Sequence, residues 1–481
     1  MGPDRPSVPL DPAGELRGLA DDCVHCGFCL PACPTYQLWG EEMDSPRGRI
    51  HLITQILDGT DGTQAAAEHL DRCLGCMACV TACPSGVRYD RLIEAARGWA
   101  EEPPPGRPPG TGATRDPHED GSAPHPGPGS GPPARALPAR PRRERAVRAA
   151  IFSVFPYPRR LRAAIVPLRA AQWARLDSLL ERSGAAERLS PELAAALRLA
   201  PGPPPGGGRL ARRAGVRQAL PERMPARAPR RAVVGMLTGC VQQVFFPQVN
   251  AATANVLAAE GCDVVIPAGQ GCCGALSLHG GRRAEAAGFA RRAIETFERA
   301  GVDAVVVNSA GCGSAMKEYR ELLADDAGWS ERAAALAGKV RDFSEFLVEL
   351  GPAATRHPLP LTAAYHDACH LAHAQRITAQ PRELLTAIPE LRLADIADGL
   401  TCCGSAGIYN LVQPEAAREL GERKADNVAA TGADLLVAGN PGCAMQISSA
   451  LAARGAPMPM AHIAEVLDAS IRDAGRTSLL A

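Results

Sequence analysis

Cysteine is the residue whose number and spacing could do chemistry in this chain. The sequence of 481 residues contains 17 cysteines, and eight of them lie within the first 83 residues. These eight form two blocks, CVHCGFCLPACP and CLGCMACVTACP, each of which reads C-x2-C-x2-C-x3-C-P. Three cysteines at three-residue intervals allow the backbone to turn around an iron–sulfur cluster and to direct its amide groups at the cluster sulfurs. The two blocks therefore indicate iron–sulfur chemistry.

The fourth cysteine of each block, which precedes a proline, predicts how the ligands are shared. In a two-cluster ferredoxin this cysteine ordinarily ligates the cluster of the other block. We expect two 4Fe–4S clusters, one held by Cys23, Cys26, Cys29 and Cys83 and the other by Cys73, Cys76, Cys79 and Cys33. A pair of zinc sites is disfavoured, because zinc takes four ligands in a closed tetrahedron and not an interlocked set of eight.

Residues in and between the blocks indicate the surroundings of the clusters. The segment RGRIHLITQILDG has a helical pattern, which predicts a mainly helical dicluster ferredoxin domain. His25 lies inside the first block, but the cysteine set is already complete, so we expect this histidine to pack beside the site. Arg47 and Arg49 either place positive charge near the anionic clusters or form salt bridges to a helix, and neither is expected to be catalytic.

The other cysteines belong to a unit that the sequence uses twice. Between Cys240, Cys272-Cys273 and Cys312 the separations are 32 and 39 residues, and between Cys369, Cys402-Cys403 and Cys443 they are 33 and 40. GCCGALS pairs with TCCGSAG, and apolar β-rich runs alternate with Ala-rich helical stretches. This pattern predicts a duplicated small α/β unit with a parallel sheet. The cysteines follow strand ends, so they should converge at one edge of each sheet.

The Cys-Cys-Gly triplets of these two CCG units are interpreted as sites for a metal ion or a cluster. Glycine permits the tight turn after the pair, whereas a disulfide between adjacent cysteines would be strained. Reactive thiols of low pKa are the functional alternative, and burial as small hydrophobic residues is the remaining one. The candidate ligands are Cys240, Cys272, Cys273, Cys312, Cys369, Cys402, Cys403 and Cys443. Cys262 has no counterpart in the second copy and is assigned to the core.

Three histidines surround Cys369 in the segment YHDACHLAHAQ. His366 and His370 flank this cysteine, and His373 lies one turn further along. A histidine beside a cluster can carry protons or tune the reduction potential. A hydrogen-bonded structural histidine at a strand end is at least as common, so both interpretations stay open.

A chain of 481 residues is expected to form several domains, because one domain has roughly 100–200 residues. These domains must position the cysteines and histidines described above. Residues 101–135 are rich in proline, glycine and polar residues, which predicts a disordered linker. Residues 135–231 contain 22 arginines, no lysine and six acidic residues, which predicts short basic amphipathic helices broken by Pro156, Pro158 and Pro167. The predicted domains are the dicluster domain at 1–100, the linker at 101–135, an Arg-rich connector at 136–229, and CCG domains at 230–350 and 360–475.

Composition excludes several classes of protein. The chain has 52 Lys+Arg and 52 Asp+Glu residues, and aromatic residues make up 4%, which argues against a nucleic-acid partner. No apolar run approaches the roughly 20 residues of a membrane-spanning helix, and the first residues lack the apolar core of a secretory signal. We therefore expect a cytoplasmic protein without a transmembrane helix. The basic helices leave open a peripheral contact with a flavin subunit or with the inner face of the cell membrane.

A resemblance to a known family rests on the segments CVHCGFCLPACPTYQLWGEEMDSPRGRIHLI, GCCGALSLH, SAGCGSAMKEY and CCGSAGIYN. They are similar to the iron–sulfur subunits of glycolate oxidase, also called glycolate dehydrogenase, and the repeat resembles the CCG domains of heterodisulfide reductases. The resemblance implies an electron-transfer subunit of an oxidoreductase complex. Partner flavin subunits would carry FAD and oxidise glycolate to glyoxylate, and electrons would pass through the clusters toward a quinone-type membrane acceptor. No residue of this chain would then be catalytic.

One departure from the resemblance bears on the CCG units. The heterodisulfide-reductase motif ends in C-x-x-C, whereas Ala315 and Gln446 stand at the last position here, so each copy has four cysteines instead of five. An ordinary cluster, a zinc ion and reduced thiols are the three options for these units. Two alternative functions also stay open. The chain could serve a lactate or glycerol-3-phosphate dehydrogenase, or it could be a thiol/disulfide reductase with a CCG unit as its active centre.

Overall fold

The computed structural model describes residues 14–59, 62–101, 137–138, 140–174, 188, 190–199 and 220–480. Apart from its first residue, the predicted linker at 101–135 lies outside the described residues. The chain divides into two compact units, Met1–Arg148 with His279–Arg282 and Ala149–Leu278 with Arg283–Ala481. The first unit contains the two cysteine blocks, and the second contains both CCG units.

Helices form the regular structure in the described part of the first unit, where no strand occurs. They are α1 (Glu15–Asp21), α2 (Pro34–Trp39), α3 (Pro46–Leu57), α4 (Gln64–Asp71), α5 (Ala78–Ala82) and α6 (Tyr89–Glu101), with a short 3-10 helix at Glu42–Asp44.

Helix α3 illustrates how the sequence fixes these elements. Pro46 occupies its first turn, where a proline lacks only an N–H that would have no partner within the helix. The Ser45 hydroxyl caps the helix by accepting a hydrogen bond from the Gly48 N–H at 3.0 Å. Ile53 and Ile56 are fully buried in the core that α3 shares with α6. Capping and burial together hold α3 beside both cysteine blocks.

Three helices are described in the Arg-rich span, namely α7 (Arg142–Val154), α8 (Pro158–Trp173) and α9 (Pro191–Leu199). Pro158 begins α8, but Pro167 lies inside it and does not interrupt it. The predicted break at Pro167 is therefore wrong. Leu161 and Ile165 of α8 are buried against Val244, and this packing offsets the backbone hydrogen bond that a proline cannot donate.

A five-stranded sheet forms the first CCG unit. Its strands are β1 (Arg223–Met224), β2 (Ala232–Leu237), β3 (Cys262–Val265), β4 (Ala304–Val307) and β5 (Val340–Asp342), in the order β1-β3-β2-β4-β5. All neighbours are parallel except β1 and β3. The helices are α10 (Gln242–Phe245), α11 (Pro247–Ala259), α12 (Ala275–His279), α13 (Arg283–Ala300), α14 (Ala310–Lys317), α15 (Tyr319–Leu322), α16 (Ser330–Lys339) and α17 (Phe343–Leu350).

A four-stranded sheet forms the second CCG unit. Its strands are β6 (Leu361–His366), β7 (Leu391–Ala394), β8 (Leu435–Ala438) and β9 (Met460–Ala461), in the order β7-β6-β8-β9, and all are parallel. The helices are α18 (Ala379–Thr386), α19 (Tyr409–Val412), α20 (Pro414–Ala429), α21 (Pro441–Ala453), α22 (Ile463–Ile471) and α23 (Thr477–Leu480), with a π-helical turn at His370–Ala374. The order matches β3-β2-β4-β5, so the predicted duplication of a parallel α/β unit is confirmed.

One apolar core joins the two copies. Met236 and Leu257 of the first copy lie in the same buried cluster as Leu435 and Leu467 of the second, and α11 packs against α22. Each fully buried side chain of this kind contributes about 1.5–3 kcal/mol. Cys262 is fully buried in this core, as expected. The shared core holds the two sheets together within the second unit, and the other cysteines of each copy follow the carboxyl ends of its strands.

Replacing Gly48 with alanine should destabilise the first unit. The added methyl group would collide with the carbonyl oxygen of Glu42 and lie 2.8 Å from its carbonyl carbon, so the backbone itself would have to shift. We expect a loss of about 1–3 kcal/mol in the free energy of unfolding. Gly18→Ala is the matched control, because the methyl group there meets no atom within 4 Å and alanine favours helix α1. Thermal unfolding that gave both variants the same melting temperature would contradict this expectation.

Candidate metal centres

Three cysteines of the first block line a cavity that opens to solvent and, with the solvent at its mouth, has about 420 Å³ of empty space. Cys23, Cys26 and Cys29 share its wall with Cys83, the last cysteine of the second block. Cys33, the fourth cysteine of the first block, is not among its lining residues. Cys26 is exposed at the surface of the described chain.

A second cavity, of about 310 Å³, adjoins the first. Its cysteines are Cys33, Cys73, Cys76 and Cys79, all of which are buried. Cys79 and Tyr89 line both cavities, so the two share a wall. The structure thus gathers the eight cysteines around two adjoining cavities, with Cys79 in the wall of both, and ligation by the two crossed sets stays a prediction.

The loops that carry the two sets have the same backbone twist. His25 and Gly27 of the first block have φ values of 52° and 85°, and Gly75 and Met77 of the second have 65° and 62°. These four residues occupy equivalent positions between the cysteines. A non-glycine residue at positive φ costs about 1–3 kcal/mol and persists where the surroundings enforce it, often at functional sites. The left-handed backbone conformation of His25 is therefore part of the turn by which the first loop brings its cysteines together.

A buried ion-pair network lies against the second cavity. The Arg49 guanidinium lines this cavity, is fully buried, and donates to Asp44 at 3.2 Å and to the Thr35 hydroxyl at 3.1 Å. Asp44 also pairs with Arg72 and with the His69 ring, each at 3.0 Å. Arg49 therefore brings positive charge to the cysteines and is itself held by an ion pair, which unites the two roles expected of it.

Arg47 has the corresponding place at the first cavity. Its guanidinium pairs with Glu42 at 2.6 Å, donates to the carbonyl oxygen of His25 at 3.2 Å, and lines the cavity. The hydrogen bond to His25 ties α3 to the first cysteine loop. Arg47 thus positions the first cysteine loop, and Arg49 positions a positive charge beside the second cysteine set.

The pKa values of the cysteines indicate what the two sets can bind. Burial, with a smaller effect from neighbouring cysteines, raises the pKa of Cys29 to about 11 and that of Cys79 well above its usual value. Burial also acts on Cys73, but the positive charges of Arg49 and Arg97 and the hydrogen bonds from Tyr89 and Gly75 together outweigh it, so the pKa of Cys73 is lowered. Four clustered thiols deprotonate together only beside a strong positive charge. The donor sets therefore fit iron–sulfur clusters, whose iron supplies that charge.

In the first CCG unit the four cysteines meet at the carboxyl edge of the sheet. Cys240 follows β2, Cys272 and Cys273 follow β3, and Cys312 lies in the first turn of α14. The Cys240 and Cys272 sulfurs are 3.6 Å apart, and the Cys273 and Cys312 thiols are in hydrogen-bonding contact. The Tyr319 hydroxyl donates to the Cys273 carbonyl oxygen at 2.6 Å. Convergence at this edge was the expectation from the sequence.

The second CCG unit repeats this arrangement and adds a histidine. The sulfurs of Cys369 and Cys402 are 3.9 Å apart, and the thiols of Cys403 and Cys443 are in contact. His366, the last residue of β6, lies with Cys403 and Cys443 in a buried group whose donor atoms are all within 4.8 Å of one another.

A short chain of polar contacts connects the two CCG sites within the second unit. The Asn440 amide donates to the Cys443 sulfur at 3.4 Å, and its oxygen lies 3.3 Å from the Ser309 hydroxyl. The Ser309 hydroxyl in turn hydrogen-bonds the Cys312 thiol. The two sites therefore lie close to each other across the interface between the copies.

Comparisons with known proteins agree with this division of the chain. Three family models match, the 4Fe-4S dicluster domain over 19–87, the cysteine-rich CCG domain over 234–317 and 363–448, and the linker region of the glycolate oxidase iron-sulfur subunit over 143–200. The probable glycolate oxidase iron-sulfur subunit of Bacillus subtilis (strain 168) is 34% identical, and the alignment covers 94% of each chain. The chain belongs to the glycolate oxidase iron–sulfur subunit family.

Two further relatives also match the chain. The glycolate oxidase iron-sulfur subunit of Escherichia coli (strain K12) is 33% identical over 91% of each chain. The lactate utilization protein A of Shouchella clausii (strain KSM-K16) is 34% identical, but the match covers 49% of this chain and 98% of that protein. In the part of this iron–sulfur subunit that the structure describes, no helix is long and apolar enough to cross a membrane.

The positions at which heterodisulfide reductases have a fifth cysteine hold no sulfur in this iron–sulfur subunit. Ala315 is buried in α14. Gln446 is buried in α21, where its amide donates to the Ala417 carbonyl oxygen at 2.8 Å and accepts from Asn410 at 3.3 Å. Both positions are therefore filled by packed side chains, and each CCG site has four cysteines.

The three histidines predicted near Cys369 have different surroundings. His373 hydrogen-bonds the Leu400 carbonyl oxygen at 3.0 Å, and the His370 ring lies 3.5 Å from the Cys369 sulfur. Sequence reasoning missed that His366 joins Cys403 and Cys443. The sequence did carry a signal that His366 is special to the second copy, because the first copy has Leu237 at the equivalent position.

Sequence reasoning also missed three residues that shape the sites of this iron–sulfur subunit. Asp44 holds Arg49, the Tyr89 hydroxyl donates to the Cys73 sulfur at 3.5 Å, and buried Lys424 lies near Cys402 and Cys403. No cysteine spacing marks them, because they reach their sites through the tertiary fold.

Asp44→Ala should strongly destabilise the first unit, because it leaves the Arg49 guanidinium buried without its carboxylate. Breaking a buried pair in this way costs about 3–5 kcal/mol. The matched control is Asp90→Ala, whose partner Arg88 is 48% exposed, so that loss should be about 1 kcal/mol or less. Anaerobic thermal unfolding of the complete subunit would compare them. Similar melting temperatures for the two variants would disprove the role of the network.

Proposed function

We propose that this chain is the electron-transfer subunit of a glycolate-oxidising complex. The observation that carries the proposal is the pair of adjoining cavities that all eight cysteines line, with Cys79 and Tyr89 shared between the two. Two 4Fe–4S clusters bound there would supply one-electron carriers. The names of the relatives from B. subtilis and E. coli, which call them glycolate oxidase iron-sulfur subunits, support the same role.

The rim of the first cavity suits it for electron exchange with a partner subunit. Cys26 is exposed there, and the neighbouring Val24 and Phe28 are 69% and 67% exposed in the described chain. Large apolar side chains at the surface commonly mark interaction sites. The cysteines of the second cavity are buried by contrast, so we assign docking of the partner to the rim of the first.

The protein groups around the second cavity stabilise negative charge. The Tyr89 hydroxyl and the Gly75 amide both donate to the Cys73 sulfur, at 3.5 Å and 3.3 Å, and Arg49 is close by. Hydrogen bonds to cluster sulfurs are among the factors that set a reduction potential. These donors would favour the reduced state of a cluster bound in the second cavity. This preference supports electron flow from the first cavity to the second.

The oxidation of glycolate to glyoxylate is assigned to partner flavin subunits that carry FAD. Electrons then leave this subunit for a quinone-type acceptor, and the complex works on the cytoplasmic side, at the inner face of the membrane. The CCG cysteines hold either a further cluster or zinc in this proposal.

Lactate is the second candidate substrate of the complex. It is favoured by the relatives named lactate utilization protein A, which match about half of this chain. Glycolate is preferred, because the chain also matches the linker region of the glycolate oxidase iron-sulfur subunit over 143–200.

Iron analysis tests the crossed ligand sets. The anaerobically purified subunit should contain about eight iron atoms and should show two interacting cubane signals by EPR. Any iron in excess of about eight atoms is assigned to the CCG units. Cys83→Ser should perturb the same signal as Cys26→Ser, and Cys33→Ser the same signal as Cys76→Ser. If Cys83→Ser instead perturbed the signal that Cys76→Ser perturbs, the ligand sets would follow the blocks and the crossed assignment would be wrong.

Electron transfer itself is tested with Cys76→Ser in the assembled complex. Reduction of a quinone analogue by glycolate should fall at least about tenfold, because the second set loses a ligand. Bleaching of the partner flavin by glycolate should continue at its normal rate, which is the internal control. Unchanged quinone reduction would refute the relay, and flavin bleaching by lactate in place of glycolate would assign the alternative substrate.

A further inference from the structure

His366 has no partner for either nitrogen of its ring, although it is almost completely buried. The ring is 1% exposed, and neither Nδ1 nor Nε2 makes a hydrogen bond. A buried polar group without a partner costs about 1–3 kcal/mol, so native proteins rarely retain one without a reason. A metal ion bound to one ring nitrogen would remove part of this cost.

Two thiols face this ring. The donor atoms of His366, Cys403 and Cys443 all lie within 4.8 Å of one another, and all three side chains are buried. The Cys402 sulfur is in hydrogen-bonding contact with that of Cys403 but lies outside this group. In a tetrahedral zinc site, with Zn–S of about 2.3 Å and Zn–N of about 2.0 Å, donors lie roughly 3.5–3.8 Å apart. A contraction of about 1 Å would therefore bring these three donors to ligand distance, and a larger shift of the Cys402 side chain would complete the set.

The surroundings suit thiolates and a neutral imidazole, which are the forms that bind zinc. Lys424 is buried near Cys402 and Cys403, where it donates to the Asp398 carbonyl oxygen at 2.6 Å. Its positive charge balances the excess negative charge that three thiolates and one zinc ion would carry.

The first CCG unit lacks this nitrogen donor. Leu237, the last residue of β2, occupies the position of His366 and is buried among Cys240, Cys272 and Cys273. The two copies have the same strand order and the same four cysteines, so the histidine is a specific difference between them. Copies that differ in this way need not bind the same group.

We propose that the second CCG unit binds a zinc ion through His366, Cys403 and Cys443, with Cys402 as the fourth ligand. A set of nitrogen and thiolate donors closed by four protein residues is typical of structural zinc. Zinc undergoes no redox change, so this site carries no electrons. It instead joins the end of β6 to the Cys-Cys-Gly loop and to α21. The assignment goes beyond the proposed electron transfer and does not depend on the substrate of the complex.

The test measures metals in the full-length subunit, purified anaerobically with its partners. The subunit should contain about one zinc per chain, and His366→Leu and Cys443→Ala should each lose it while iron is unchanged. His366→Leu introduces the residue that the first copy tolerates at this position, so the fold should survive. His366→Cys should restore zinc because it returns a donor. His373→Leu, a buried histidine outside the donor group, should leave zinc unchanged.

Cobalt gives a second readout of the ligands. Co²⁺ exchanged into the site should show the intense d–d bands of tetrahedral coordination and a thiolate-to-metal charge-transfer band, and both should disappear in His366→Leu. Absence of zinc, or zinc that persists in His366→Leu and Cys443→Ala, would overturn the proposal. Loss of iron instead of zinc in His366→Leu would also overturn it, because the histidine would then belong to a cluster. None of these results would alter glycolate-dependent flavin bleaching, which reports on the proposed function separately.

Discussion

The close burial of many thiols is the constraint on which this chain depends. Each thiolate that is taken out of water loses hydration, and each neighbouring thiolate repels it, so burial raises the pKa of Cys29 and Cys79. Only nearby positive charge can reverse this effect. The folded chain provides part of that charge through Arg49, which lies fully buried beside the second cysteine set. A bound metal group has to provide the rest.

The helical part of the first unit serves this constraint. Asp44 fixes the Arg49 guanidinium, and α3 begins at Pro46 so that the same helix reaches both cavities. Arg47, one residue into the helix, ties the first loop through the carbonyl oxygen of His25. One capped helix therefore sets the positions of two arginines, and through them it sets the electrostatics of both cysteine sets.

The duplicated second unit uses a different solution. Parallel strands end at one edge of each sheet, so cysteines that are far apart in sequence meet there without a dedicated loop. Asn440 and Ser309 connect the two edges through hydrogen bonds. The two copies share their strand order and their four cysteines, and the last residue of the equivalent strands β2 and β6 decides whether a further metal-binding atom is available. Leu237 makes the first site apolar at its strand end, whereas His366 adds a buried nitrogen to the second.

The sequence alone determined the chemistry, since short spacings such as C-x2-C-x2-C are local and leave the backbone few ways to turn. It also determined the duplication, because alternation of strands and helices is a local pattern too. Only the tertiary structure decided what surrounds the cysteines. Lys424 and His366 reach Cys403 across stretches of sequence that no motif spans. Asp44 is close to Arg49 in sequence, but it is buried against Arg72 and His69 only because the helices of the first unit pack together. The packing of α8 likewise outweighed the local preference of Pro167 to end a helix. The charge around the cysteines and their burial depend on residues from many parts of the chain, which only long-range packing brings together.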